Sequence, residues 1–342
     1  MANDAFWFRL KKKMTWEFFP AWLVYTPVVG YYFYLAARAR SLTFPLASNP
    51  GIHNAGFFGE SKYDILRQVI PPFLPKTHCF EQEVKTAAIL GQMQAMNLNF
   101  PIILKPDRGE RGNGVAKIYN EAEVSSYLKE IAEFPLLLQE YVGMKEEYGV
   151  TYYRIPGESQ GHVISIVKKD FLSVTGDGHS TLHELVKTSD RCQFHYDTIV
   201  QNHSDSFEEV IPAGQKKVLS EIGNHCKGTT FLNANDLITP ELHKAFEPLV
   251  DQLDGFYIGR FDLRAPSIEE LRKGNYRIME INGVASEPGH IYHPGFPIWK
   301  AYRDLLSYWH KVYLVGVANQ KRGVQTSTVK TFVGEFREYL KS

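Results

Sequence analysis

A chain of 342 residues, 44% of them hydrophobic, can bury a large core in roughly two or three lobes, which excludes a disordered tail and a staple-dependent miniature domain. Its 38 Lys and Arg balance 38 Asp and Glu, so the broad basic field that marks a nucleic-acid partner is absent. Cys79, Cys192 and Cys226 lie apart without C-x-x-C spacing, which argues against a disulfide framework or a thiolate zinc site and fits a reducing, cytoplasmic setting.

In chain order, residues 18–37 are uncharged, between Lys11, Lys12 and Lys13 on one side and Arg38 and Arg40 on the other. The length suits a membrane span, yet Pro20, Pro27 and Gly30 interrupt it and Tyr25, Tyr31, Tyr32 and Tyr34 spread hydroxyls through it. Three readings stay open: a buried, kinked helix; a helix in the bilayer interface with its basic flanks on anionic lipid; and a span. No signal-peptide cleavage pattern follows. Residues 49–77 read as loops around a short helix at 63–69. Val84, Ala88, Gly91 and Ala95 then recur at helical spacing, ahead of strands at 100–105 and 114–119. Asn120 with Glu123 opens a helix that carries Val124, Tyr127, Leu128 and Ile131 on one face. A strand at 135–141 and a hairpin of 149–155 with 162–168 follow. Thr181 with Glu184 opens a short helix, 190–215 reads as loop, and 240–253 reads as a helix begun by Thr239 and Pro240 and bent or shortened by Pro248. Strands at 256–263 and 276–281 complete an α+β pattern of antiparallel hairpins and helices. The expected units are 1–75, 76–140, 141–310 and a helical tail at 311–342.

Strand alternation puts Arg260 with Asp262, and Glu280 with Asn282, on common faces of neighbouring strands. Two carboxylates and an amide oxygen are the hard ligands that Mg²⁺ accepts beside phosphates and water, and Arg260 next to them would face a transferring phosphoryl group. A surface hairpin with solvated charges is the competing reading. Lys105 ends an apolar strand before the turn 108–114, where Gly109, Arg111, Gly112, Asn113 and Gly114 would let backbone amides cradle phosphate oxygens. The turn lacks the Gly-Lys-Ser/Thr ending of a Walker loop. Gln139, Glu140, Tyr141 and Val142 lead out of a strand towards Glu147, a carboxylate suited to ribose hydroxyls, and Lys168 or Lys169 offers another phosphate contact. Glu60 and Lys62 are candidates for an amine and a carboxylate, against the alternative of a plain Gly-rich turn.

The order and spacing of these features resemble the ATP-grasp superfamily, in its D-alanine–D-alanine ligase and cyanophycin synthetase branch, over residues 76–300. The segment 174–185, Val-Thr-Gly-Asp-Gly-His-Ser-Thr-Leu-His-Glu-Leu, is similar to the cyanophycin synthetase version of its region. The resemblance implies two α+β subdomains gripping ATP, with Lys105 and the Gly-rich loop on the phosphates, residues 139–142 at adenine, Glu147 at ribose, and Lys168 or Lys169 as a second lysine. Asp262, Glu280 and Asn282 would hold Mg²⁺ (or Mn²⁺), with Arg260 and Lys105 catalytic. It implies a ligase that phosphorylates a small-molecule carboxylate and couples the acyl phosphate to an amine. A phosphotransferase that stops at the phosphorylated product, and a non-catalytic membrane-associated nucleotide binder, are the alternatives. The aromatic N-terminal segment replaces the family's fuller N-terminal domain, so the substrate is not inherited. His290 and His293 are candidate proton acceptors. A homodimer, and placement at the inner face of the membrane, are left open.

Overall fold

The computed structural model describes residue 19 and residues 21–341, apart from 110–111, 132–133, 222 and 225–226. Arg111 of the Gly-rich turn, the Lys11, Lys12 and Lys13 flank, and Cys226 lie outside the described residues.

The chain is α+β with antiparallel sheets. Helix α1, Ala21–Ala39, runs unbroken through Pro27. That proline is exposed, so water can reach the carbonyl its ring leaves unpaired. Helix α2, Lys62–Leu66, starts at Ser61, whose hydroxyl accepts the Asp64 amide. Strand β1 (Thr77–Phe80), α3 (Thr86–Ala95), β2 (Ile102–Pro106), β3 (Ala116–Ile118), α4 (Glu121–Glu130) and β4 (Leu136–Glu140) make the first unit. Its sheet has the order β1-β4-β2-β3. Ile102 and Leu104 on β2, and Leu136 and Leu138 on β4, bury one sheet face against Ile89 and Met93 of α3 and Val124 and Tyr127 of α4. Alternation sends Ile103, Lys105, Leu137 and Gln139 to the other face, and the register pairs Lys105 with Leu137 and Ile103 with Gln139. Full burial of each Leu or Ile is worth about 1.5–3 kcal/mol, so the apolar face sets which way Lys105 points.

The second unit holds β5 (Glu146–Tyr153), β6 (His162–Asp170), β7 (Ser173–Thr175), α5 (Leu182–Thr188), α6 (Asp190–Gln193), α7 (Tyr196–His203), β8 (Lys216–Val218) and β9 (Thr230–Asn233). Helices α8 (Pro240–Ala245) and α9 (Glu247–Val250), strand β10 (Ile258–Ala265), α10 (Ile268–Arg272) and β11 (Arg277–Asn282) complete it. Its main sheet runs β11-β10-β5-β6-β9, antiparallel throughout. Tyr148 and Val150, Phe261 and Leu263, and Ile166 face a core filled from the helices by Leu242, Phe246, Leu249 and Leu271. The opposite face carries the charges, Glu147 directly across from Arg264 and Gly149 across from Asp262. Two long helices end the chain, α11 (Ile298–Lys321), which packs along α1, and α12 (Val329–Tyr339).

Several expected elements are corrected. Residues 190–215, expected as loop, contain α6 and α7, the first begun by Ser189, whose hydroxyl accepts the Cys192 amide. The helix expected over 240–253, to be bent or shortened by Pro248, is shortened: it ends at Ala245, and Pro248 takes the second position of a separate short helix after Phe246. Position 310, expected as a unit boundary, falls inside α11. The capping box of Thr181 with Glu184 and the Asn120 cap form as expected.

Candidate active site

The two sheets face each other across a cleft of about 530 Å³, within the usual range for a small-molecule site. Its walls come from the facing sides of both sheets, from the turn after β2, from the segment joining β4 to β5, and from residues 56–62.

On the large sheet five charged side chains alternate. Arg260 donates from Nε to Asp262 Oδ1 and from a terminal nitrogen to Oδ2, both at 3.2 Å. Lys169 Nζ sits 3.1 Å from Asp262 Oδ1 and 3.1 Å from Glu147 Oε1. Arg264 Nε lies 2.9 Å from Glu147 Oε2. The row Arg260, Asp262, Lys169, Glu147, Arg264 therefore carries three cations and two anions. Asp262, Lys169, Glu147 and Arg264 are buried. Burial alone would raise the Asp262 pKa, yet Arg260 and Lys169 hold the carboxyl below its ordinary value. Burial likewise works against the charge on Lys169, and Asp262 followed by Glu147 outweighs it, keeping the ammonium charged.

Asp262 and Glu280 are direct cross-strand partners, as are Arg260 and Asn282. The register slips between Asp262 and Leu263, so β11 carries one extra residue, Met279, in a bulge. Its carbonyl is thereby released from the ladder and accepts Lys105 Nζ at 3.0 Å from the opposite sheet. The same ammonium donates to Gln139 Oε1 at 3.0 Å. Burial pushes the Lys105 pKa down to about 8, with Glu280 opposing the drop. Lys62, from α2, reaches in beside it, 3.7 Å from Glu280 Oε1, and donates to the carbonyl of Gly109.

Asp262, Glu280 and Asn282 bring oxygen atoms to the cleft from neighbouring strands. Among the described residues no cluster of three His, Cys, Asp or Glu forms a self-sufficient metal cage. Asp262 already accepts from Lys169, Arg260 and Asn282, whereas Glu280 is partly exposed. The donors suit a hard cation shared with a ligand's phosphates, which is how Mg²⁺ is usually held.

At the other end, Tyr141 lies between two cations, Lys117 Nζ 4.1 Å and Arg264 Cζ 5.3 Å from its ring centre. Lys117 also pairs with Glu221 at 2.5 Å. Gln139, Glu140, Tyr141 and Val142 all line the cleft, as do Gly109, Gly112 and Asn113 of the Gly-rich turn. Gly114 instead packs on Pro106, and its carbonyl accepts the Tyr127 hydroxyl. Glu147 lines the cleft with both oxygens engaged, and Gly223 lies so close that a Cβ there would fall 1.8 Å from Oε1.

The far end of the cleft is shaped by a strained turn. Asn54, Ala55 and Gly56 all have positive φ (46°, 55° and 79°), which for Ala55 costs about 1–2 kcal/mol. Their carbonyls repay it, Ala55 O accepting the Val284 amide and Gly56 O the Ala285 amide. Gly56 is required here, since a Cβ would sit 2.5 Å from Gly283 Cα. This brings Gly56, Phe57, Gly59 and Glu60 beside Ala285 and Ser286, with Tyr339 of α12 closing the wall.

The sequence left Lys168 and Lys169 undecided. Lys169 faces the cleft, whereas Lys168 points to the other face and pairs with Glu146 at 2.6 Å. The proton-acceptor role considered for His290 is corrected: it is buried behind the cleft wall, within 2.7 Å of Ser165 Oγ and 3.0 Å of Asp304. His293 is spent on the Asn233 amide. Sequence reading passed over Arg264, Lys117 and Tyr339. Arg264 carried a signal, standing two residues beyond Asp262 in the same alternation; the other two did not.

No family model matches the chain and no curated protein matches it. Solved structures do resemble it, several ligases among them. VanG D-Ala:D-Ser ligase from Enterococcus faecalis matches with a TM-score of 0.43 and 15% identity, covering 74% of this chain and 61% of that one. D-alanine–D-alanine ligase from Bacillus anthracis, complexed with ATP, matches at 0.44 and 15%, covering 77% and 67%. An L-amino acid ligase from Bacillus licheniformis matches at 0.37 and 14%, covering 68% and 41%. The chain thus spans less than two thirds of the VanG ligase. At this overlap the likeness is one of chain path.

Proposed function

We propose that the chain is an ATP- and Mg²⁺-dependent (or Mn²⁺-dependent) ligase that activates a carboxylate as an acyl phosphate and couples it to an amine. The reading is carried by one observation: a buried row of alternating charges with a surplus cation faces Lys105 across a cleft, with oxygen donors at Asp262, Glu280 and Asn282. Such a row leaves one cation uncompensated, which an anionic ligand would offset.

ATP would lie with its base near residues 139–142 and its phosphates between Lys105, Lys169, Arg260 and the turn of Gly109, Gly112 and Asn113. The Mg²⁺ held by Asp262, Glu280 and Asn282 would neutralise charge on the β- and γ-phosphoryl oxygens. Among the described residues the cleft lining holds no cysteine, and the Ser286 hydroxyl donates to the Gly283 carbonyl. In this reading the nucleophile is the substrate's own carboxylate. A carboxylate oxygen attacks the γ-phosphorus, the bond to the bridging oxygen breaks, and ADP leaves. An amine nitrogen then attacks the acyl carbon and expels phosphate, losing its proton. Arg260 and Lys105 stabilise the spreading charge from fixed positions. Both substrates would enter at the end formed by Gly56, Phe57, Ala285, Ser286 and Tyr339, which is mostly uncharged, so amino-acid-derived substrates with an apolar part fit best.

ADP release by the purified chain with ATP and Mg²⁺, screened against pools of carboxylates with and without an amine pool, tests this reading. Turnover that needs both pools is expected. ADP release with a carboxylate alone, leaving a stable phosphorylated product, would replace the ligase with a phosphotransferase.

A further inference from the structure

Helix α1 has two sides, and both are apolar. Its inner side packs Val24 and Val28 against Ala301 and Leu305 of α11, and Leu35 and Ala36 against a cluster with Tyr308, Val312 and Val315, so the two helices run parallel. The Tyr25 hydroxyl fastens this side by donating to Glu287. The outer side, which should be polar on a surface helix, presents Trp22 (72% exposed), Leu23, Val29, Phe33 (57%) and Tyr34 instead. At 100° per residue these positions, with Thr26, Pro27, Gly30 and Ala37, fill one continuous half of the helix, and Arg38 at its edge is the lone charge. Because the helices are parallel, Trp299 (63% exposed), at the start of α11, stands at the same end as Trp22.

A face of this kind is normally covered. No described helix is long and apolar enough to cross a membrane, so a span does not account for it. The distribution of charge names the occupant. The first forty residues hold six Lys and Arg against two Asp and Glu, in a chain that balances 38 against 38 overall. Lys11, Lys12 and Lys13 precede the helix and Arg38 and Arg40 end it. Aromatic side chains on an uncharged face with basic flanks at both ends match a bilayer interface with anionic headgroups.

We infer that the outer face of α1 docks on an anionic lipid surface, lying in the interface without crossing it. A second copy of the chain, or residues 1–18 folded back, would have to cover the same face in its place. The inference does not depend on what the cleft catalyses. The full chain is sedimented with vesicles of phosphatidylcholine alone or with added phosphatidylglycerol. Binding stronger on the order of 10³-fold to the anionic vesicles, weakened by salt, is expected from the five basic flanking residues. Trp22→Glu with Phe33→Glu should abolish it while ATP binding is retained, and Lys11→Glu with Lys12→Glu and Lys13→Glu should remove the anionic preference. Absence of wild-type binding to either vesicle overturns the inference. So does a dimer, seen by light scattering, that the Trp22 and Phe33 changes dissociate.

Discussion

The cleft face of the large sheet and the outer face of α1 depart from ordinary burial in opposite directions. On the sheet, charged side chains of Asp262, Lys169, Glu147 and Arg264 are withdrawn from water; on the helix, Trp22, Val29 and Phe33 are left in it. Each buried ion costs several kcal/mol before its partners offset it. Exposed apolar side chains cost the folded state little and instead invite association. The two faces therefore answer to different tests: substitutions on the sheet should change chemistry and stability together, and substitutions on the helix should change neither.

The largest effect is expected at Asp262, where four donor contacts converge. Asp262→Asn should lower ADP release by about 10²–10³-fold and, with Arg260 and Lys169 left short of an anion, lower stability by about 3 kcal/mol in a urea titration. Unchanged turnover would remove the row from the active site. Next come the two adjacent lysines. Lys169→Ala should cost about 100-fold in turnover. Lys168→Ala, which breaks a partly exposed pair with Glu146, should stay within about 1 kcal/mol in stability and leave turnover alone. Equal losses would mean that the strand faces the other way.

How far this division could be seen in the sequence depended on distance along the chain. Alternation in two short strands was enough to unite Asp262 with Glu280, and their register is direct. The same argument could not choose between Lys168 and Lys169, because the parity of β6 against β5 shifts between Thr151 and Tyr152. The Met279 bulge that frees a carbonyl for Lys105 had no sequence signature either. Helices α6 and α7 escaped notice because they are short and polar, with Cys192 and Ile199 their buried residues. Glu60 and Lys62, named from their Gly-rich turn, do line the cleft, whereas Tyr339 reaches it from far along the chain, a long-range closure that no local pattern encodes. For α1 the apolar run was plain, but an uncharged segment reads the same whichever half of it is packed.

A smaller effect separates the cleft by pH. The free protein holds Lys105 with a pKa of about 8, and a bound polyphosphate raises that value by adding negative charge beside it. ATP affinity should therefore be full below pH 8 and fall above it, by up to about ten-fold per pH unit until the bound-state pKa is reached. Lys105→Arg, charged at every accessible pH, should bind ATP more weakly because its planar group fits the Gln139 and Met279 contacts poorly, yet show no break near pH 8. Isothermal titration across that range checks it, and a break that persists in the variant would assign the titration to another group.

The smallest effect belongs to the helix. Trp22→Ser removes an indole that is mostly in solvent, so stability in urea should change by less than about 0.5 kcal/mol, with ADP release unaltered. That near-silence is informative, because an indole packed under residues 1–18 would be a buried aromatic, and truncating it would cost about 3–5 kcal/mol. A large loss on Trp22→Ser would place this face inside the folded chain and dissolve the contrast with the cleft. A negligible loss, together with reduced sedimentation on anionic vesicles, would leave the helix doing outside the fold what the charged row does within it, holding an unfavourable surface ready for a partner that makes it favourable.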